Sequence, residues 1–280
     1  MRTGSNHRLQ HQAIYITIGI SEESELRYIK ESRDFIIEIN SRFRRPNIVV
    51  SVASHILLMY SRVHSFSEFD RYLLAAVCFF IACKSEDLPC ELNSLVKVFH
   101  ELKQKLSDEL LDLIEQKLKD TKENILKLEL ALLQEINFDL EIELPYKYIE
   151  QYKKIFEKLE NPFTSFTIGT KADKIAEIIK YAILYCHDSF MTPISLYFHP
   201  LIIACCCLKL ALEYAKVIIP DLNGIPWYKW VSNNVEINEM MKAKAGLIRI
   251  YAKAPLKTNG FSTNGHHTNG INGVSYLNKA

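Results

Sequence analysis

Residues 70–87 read Asp-Arg-Tyr-Leu-Leu-Ala-Ala-Val-Cys-Phe-Phe-Ile-Ala-Cys-Lys-Ser-Glu-Asp. Tyr72, Ala75, Ala76, Phe79, Phe80 and Cys83 recur at the i, i+3, i+4, i+7 spacing of a helix. Leu73, Leu74, Val77 and Ile81 fill the other side, so the helix is apolar nearly all round and is predicted to lie buried among other helices. Ala75, Ala76 and Ala82 are small enough to let those neighbours approach closely. The apolar run stops at Lys84, Glu86 and Asp87, just before Pro89. A central helix that leaves the core in a charged cluster is a natural place for function.

The pattern returns 129 residues later, where residues 199–213 lie over residues 70–84 without a gap. Ala75 falls on Ala204, Cys78 on Cys207 and Ala82 on Ala211. One long internal repeat predicts two similar domains, whereas a solenoid needs several short repeats. Lys84 ends the first copy and Glu213 the second. The scaffold is repeated and its charged end is not, which places the function on the first copy.

A chain of 280 residues, 48% hydrophobic, can supply two ordinary cores. Seven cysteines without C-x-x-C spacing predict reduced, mostly buried thiols in an intracellular protein. The apolar patch Ala13–Ile20 and the run Tyr72–Cys83 are both too short to span a bilayer, so the chain reads as soluble, with no membrane partner. A net charge of +1 gives no general pull toward nucleic acid or anionic lipid.

Residues 1–20 read as a flexible lead. Helices are then expected from Ser21 to near Arg44, through Leu26, Ile29, Ile36, Ile37 and Ile39, and from Pro46, through Ile48, Val52, Ile56 and Met59. Asp70 is the expected N-cap of the central helix. Leu92, Leu95, Val96 and Phe99 mark a fourth helix, and Asp108–Glu135 a long fifth one with Leu110, Ile114, Leu118, Ile125, Leu128, Leu132 and Leu133 inward. Further helices are expected near 145–157, 171–190, 200–216 and 236–251, with Trp227 and Trp230 packed on the second core. No glycine occurs between Gly19 and Gly169 and no strand-like alternation appears, so the fold class is all-α. The domains are set at 21–144 and 145–254. Repeated Asn-Gly pairs and little apolar content predict a disordered tail over 255–280.

Two five-helix units built around a buried third helix resemble the tandem cyclin-box fold, and the chain is most similar to the transcriptional cyclins T and K. The resemblance rests on His64-Ser-Phe, Arg71-Tyr, Ala82-Cys-Lys-Ser-Glu-Asp87, Leu128-Glu129, Phe138-Asp-Leu140 and Pro145-Tyr. In the second unit it rests on His187-Asp-Ser189, Pro200-Leu-Ile-Ile-Ala204 and Trp227-Tyr-Lys-Trp230. It implies a kinase-binding face centred on Lys84 and Glu129, with Glu86 and Asp87 beside the lysine and with Leu133 and Phe138 as apolar contacts. Cyclins of this type usually read lysine-valine-glutamate-glutamate where this chain has Lys84-Ser-Glu-Asp87, so Ser85 is a departure, and valine there is expected to be neutral or slightly favourable for kinase binding. The function so implied is regulation of a cyclin-dependent protein kinase, in RNA polymerase II transcription, in the nucleus with the cytoplasm as a second location.

Other readings are weaker. His187, Asp188 and Ser189 have the residue types of a hydrolase triad, but consecutive helical residues diverge by about 100° and cannot converge. Arg42, Arg44 and Arg45 read as a solvated helix end. No phosphate loop, H-E-x-x-H or zinc spacing appears, so no catalytic residue, metal or cofactor is assigned. The alternative is a general transcription factor of the TFIIB type, which pairs two cyclin-like folds on DNA. Its expected basic surface and N-terminal zinc ribbon are both missing from this sequence, and direct nucleic-acid binding is not expected.

Overall fold

The computed structural model describes residues 21–62, 64, 66, 70–104, 114–163 and 170–252. The expected lead (1–20), the start of the long helix (108–113, with Leu110) and the Asn-Gly tail (255–280) lie outside the described residues. The chain divides into two compact units, residues 1–143 and 144–280. Among the described residues there is no strand, only one antiparallel bridge between Leu222 and Ile225.

The first unit holds α1 (Glu22–Phe43), α2 (Asn47–Ser61), α3 (Arg71–Ser85), α4 (Leu92–Gln104) and α5 (Ile114–Glu135). Each start has a local cause. Ser21 accepts the Ser24 N–H at the head of α1, and Asp70 accepts those of Tyr72 and Leu73 at the head of α3, satisfying donors that a helix leaves orphaned. Helix α3 packs against α1, α2, α4 and α5, and residues 74–83 are all buried. Phe35 of α1 ties this centre together, lying 5.0 Å from Tyr72 and 5.8 Å from Phe99 between ring centroids. Of the apolar residues that mark these helices, Ile37 and Ile48 are exposed. Ile37 stands about 100° round the helix from the buried Ile36, and Ile48 about 100° from the buried Val49.

The second unit holds α6 (Tyr146–Lys158), α7 (Lys171–Ser189), the single turn α8 (Ile194–Tyr197), α9 (Pro200–Tyr214) and α10 (Ile237–Ala252). Helix α9, the counterpart of α3, packs against α6, α7, α8 and α10, and nearly all of it is buried. It is the fourth helix of its unit rather than the third, because α8 precedes it. Where the first unit has α4, the second has only a 3₁₀ turn, Trp227–Lys229. Pro220, Gly224 and Pro226 break any helix there. The turn is nonetheless anchored: Tyr152 donates to the Tyr228 carbonyl at 2.7 Å, and Trp227 and Trp230 meet the rings of Tyr152 and Phe156 at 5.8 and 6.3 Å.

The repeat persists in the backbone where these central helices end. Leu88 N–H donates to the Cys83 carbonyl and Asp87 N–H to that of Lys84, the paired bonds of a Schellman motif. Val217 donates to Leu212 and Lys216 to Glu213 in the same way. Asp87 and Lys216 both take left-handed backbone, with φ of 53° each.

Candidate functional site

The α3 terminus sets the site. Lys84 is the first exposed residue after ten buried ones, because the helix leaves the core at that turn. Its Nζ donates to Glu129 Oε1 at 2.6 Å and lies 4.1 Å from the centre of the Phe80 ring. The two partners are unequally exposed. The Glu129 side chain is 10% exposed and that of Lys84 47%. Glu129 therefore acts as a buried anchor for the ammonium, which keeps two further N–H donors on a side chain that is half exposed. A buried carboxylate of this kind needs its cation, since an unpaired charge out of water is costly.

The other candidates lie on the same helices or on the segments that follow them. Leu133 lies one turn along α5 from Glu129 and is half-buried. Its carbonyl accepts the Phe138 N–H at 2.7 Å. Phe138 is 59% exposed and has a φ of 56°, and Asn137 before it has a φ of 52°. Two successive left-handed non-glycine residues, one of them aromatic and exposed, store backbone strain of the kind found at functional positions. Glu86 is half-buried and Asp87 exposed at the corner that follows Lys84.

Ser85 gives this face an unforeseen link. Its Oγ donates to the Leu140 carbonyl at 3.2 Å, tying the end of α3 to the segment carrying Phe138. Valine could not make that bond, so Ser85→Val removes an intrachain tie whatever it does to kinase binding. Arg45 also departs from expectation. It is half-buried rather than fully solvated: its Nη2 donates to the Pro89 carbonyl at 2.9 Å and its Nε is buried. The Schellman corner brings Pro89 within its reach.

Elsewhere the side chains do other work. His187 pairs with Tyr146 at 2.8 Å, Asp188 accepts from Tyr251 at 2.7 Å and Ser189 donates to the Cys186 carbonyl at 2.7 Å. The three thus point to three different partners. Six of the seven cysteines are buried and all are free. Among the described residues no His, Cys, Asp and Glu cluster could hold a metal ion, and no helix is long and apolar enough to cross a membrane.

Comparison with known proteins resolves the family. The family model for the cyclin N-terminal domain matches residues 2–141, and that for the cyclin-T2-like C-terminal domain matches residues 167–250. The chain belongs to the cyclin family. This cyclin is 29% identical to human cyclin-K over 211 residues, which is 75% of the chain and 33% of the human protein. It is 22% identical to mouse cyclin-T1 over 242 residues, 85% of the chain and 31% of the mouse protein. It thus spans about a third of the length of these relatives. Its fold matches a chain of the yeast RNA Pol II CTD kinase CTDK-1 complex, with a TM-score of 0.67 at 13% identity, covering 84% of this cyclin and 68% of that chain. It also matches a chain of the yeast TFIIK complex, with a TM-score of 0.54 at 15% identity, covering 80% and 87%.

Proposed function

We propose that this cyclin is the non-catalytic subunit that binds and activates a cyclin-dependent protein kinase acting in RNA polymerase II transcription, in the nucleus. The observation that carries the reading is the Lys84–Glu129 pair, a half-exposed lysine on a buried carboxylate, in the same unit as the exposed and strained Phe138. Its relatives by sequence are cyclins K and T, and its structural neighbours come from a CTD kinase complex and from TFIIK.

The mechanism is preferential binding. A protein kinase is active when its αC helix is held inward, so that its lysine–glutamate pair and metal-binding aspartate align. A rigid surface that fits the inward state better shifts the population toward it. Lys84 donates to carbonyl groups of the kinase backbone, and Glu86 and Asp87 accept from its N–H or cationic groups. Phe138 and Leu133 add the apolar contact. No residue here performs chemistry, and no nucleic acid, metal or cofactor is required. The test is to purify the tagged chain from its own cells, identify the kinase that accompanies it, and measure phosphorylation of an RNA polymerase II tail peptide with and without the cyclin. Recovery of no kinase, or a kinase equally active alone, overturns the reading.

A further inference from the structure

Helix α10 carries two apolar faces, and its bundle uses one of them. Met240, Ala243 and Leu247 are buried where α10 packs against α8 and α9. Ile237, Met241, Ala245 and Ile248 recur at the i, i+4, i+8, i+11 spacing and fall within about 80° of one another on the helix. Their stripe is centred about 120° round from the buried face. Ile237 is 41% exposed and Met241 44%, Ala245 is exposed and Ile248 half-buried. A stripe this narrow has the width of a coiled-coil seam.

The charges that border the stripe are of one sign. On its core side stands Lys244, which Glu213 neutralises. On its solvent side Lys242 and Arg249 lie nearly in line, about 10 Å apart along the axis, and both are exposed. No carboxylate among the described residues pairs with either. Glu236 and Glu239 stand on the far side, at least about 130° from the centre of the stripe.

We propose that this stripe docks an amphipathic helix of a partner protein whose border carries acidic residues. The occupant follows from the charges. A partner helix lays its apolar ridge along the stripe, with a large side chain over Ala245, and sets two carboxylates about seven residues apart against Lys242 and Arg249. A second copy of this chain fits worse. Antiparallel pairing sets Lys242 of one copy against Arg249 of the other, and parallel pairing sets both against Lys244, so like charges meet in either case. A bilayer surface calls for a broad apolar face sunk about 5–10 Å, whereas this stripe is narrow and one of its four residues is alanine. The surface lies in the second unit, and its binding does not depend on the Lys84 face. Its consequence, that a second protein is held in the kinase complex, rests on the function proposed above.

The probes are two fluorescein-labelled helical peptides with the same leucines at i, i+4, i+7 and i+11. One carries glutamates seven residues apart beside the leucines, and the other carries lysines there. In anisotropy titrations with the full chain, the glutamate peptide should bind at least about tenfold tighter than the lysine peptide, and the gap should shrink as salt is raised. Met241→Glu, a change at an exposed position, should abolish that binding and leave the circular dichroism spectrum unchanged. The double variant Lys242→Glu with Arg249→Glu should reverse the preference between the peptides, which misfolding would not do. Binding of both peptides alike, binding of neither, or binding that survives Met241→Glu overturns the proposal. A dimer in sedimentation that Met241→Glu abolishes overturns it in favour of a second copy, and flotation with phosphatidylserine vesicles that Met241→Glu abolishes overturns it in favour of a lipid surface. A chain that binds the glutamate peptide but no kinase keeps this surface and loses the kinase reading.

Discussion

Lys244 on α10 donates to both carboxylate oxygens of Glu213 at the end of α9, at 2.7 and 2.5 Å. This is the Lys84–Glu129 contact with its signs reversed. In each unit the residue at the end of the central helix is the more exposed partner and the residue on the last helix the more buried one. The second unit therefore presents a carboxylate where the first presents an ammonium. A kinase surface shaped to accept the N–H groups of Lys84 would be repelled by Glu213.

Lys84→Glu or Glu129→Ala should weaken kinase binding by roughly 2–5 kcal/mol, the usual cost of truncating one partner of a buried, hydrogen-bonded charge pair. Glu213→Ala should have little effect on binding. The double variant Lys84→Glu with Glu129→Lys rebuilds the intrachain pair, so it should regain melting temperature without regaining affinity. Calorimetric titration with the co-purified kinase, with circular dichroism as folding control, measures both. Loss of binding in Glu213→Ala but not in Lys84→Glu would move the face to the second unit.

Phe138→Gly separates strain from contact. Glycine takes the φ of 56° freely, and leaving a left-handed L-residue conformation is worth about 1–2 kcal/mol. Folding stability should hold or rise, because the ring is mostly exposed and contributes little to the core. Kinase affinity should fall. Denaturant midpoints that drop instead would show that the ring is structural.

For Ser85→Val, the lost bond to the Leu140 carbonyl should cost about 0.5–1.5 kcal/mol of stability. Amide hydrogen exchange should quicken across 137–141 and stay unchanged in the second unit. Equal exchange in both proteins would mean that the bond holds nothing in place.

His55 on α2 predicts an acid limit for the first unit. Burial pushes its imidazole down from 6.5 to about 4. Between those values the unfolded chain binds a proton that the folded chain refuses, so stability rises with pH across that window. The contribution is complete above about 6.5 and is lost as pH falls toward 4, at no more than about 1.4 kcal/mol per unit. Denaturant midpoints measured across that range should show the slope in the parent, and His55→Gln should flatten it. An unchanged slope would assign the acid sensitivity to other groups.

Much of this was legible in the residues themselves. Helix α3 announces its burial because apolar side chains surround it, and Asp70 and Pro46 mark starts that the backbone obeys. Lys84 shows in the charged end of the first repeat, but its pairing with Glu129 comes only through the resemblance, since the two positions are far apart in sequence and no periodicity links them. Ser85 to Leu140 and Arg45 to Pro89 were not found. Each depends on where a helix ends and how the corner folds back, and a reading that proceeds element by element does not reach across such corners. Lys244 was missed for a related reason. The shortened segment between α9 and α10 shifts the repeat, so the partner of Glu213 cannot be located by the offset that aligns the central helices.

The paired Schellman corners have an evolutionary consequence. One backbone ending carries Lys84 and Asp87 in the first unit and Glu213 and Lys216 in the second, with the same hydrogen bonds and the same left-handed residue. The architecture is thus indifferent to the sign of what it displays. After such a sequence has been doubled, one copy can drift in recognition while its fold stays under no new selection. A new partner can be acquired by altering two or three side chains on a corner that is already built.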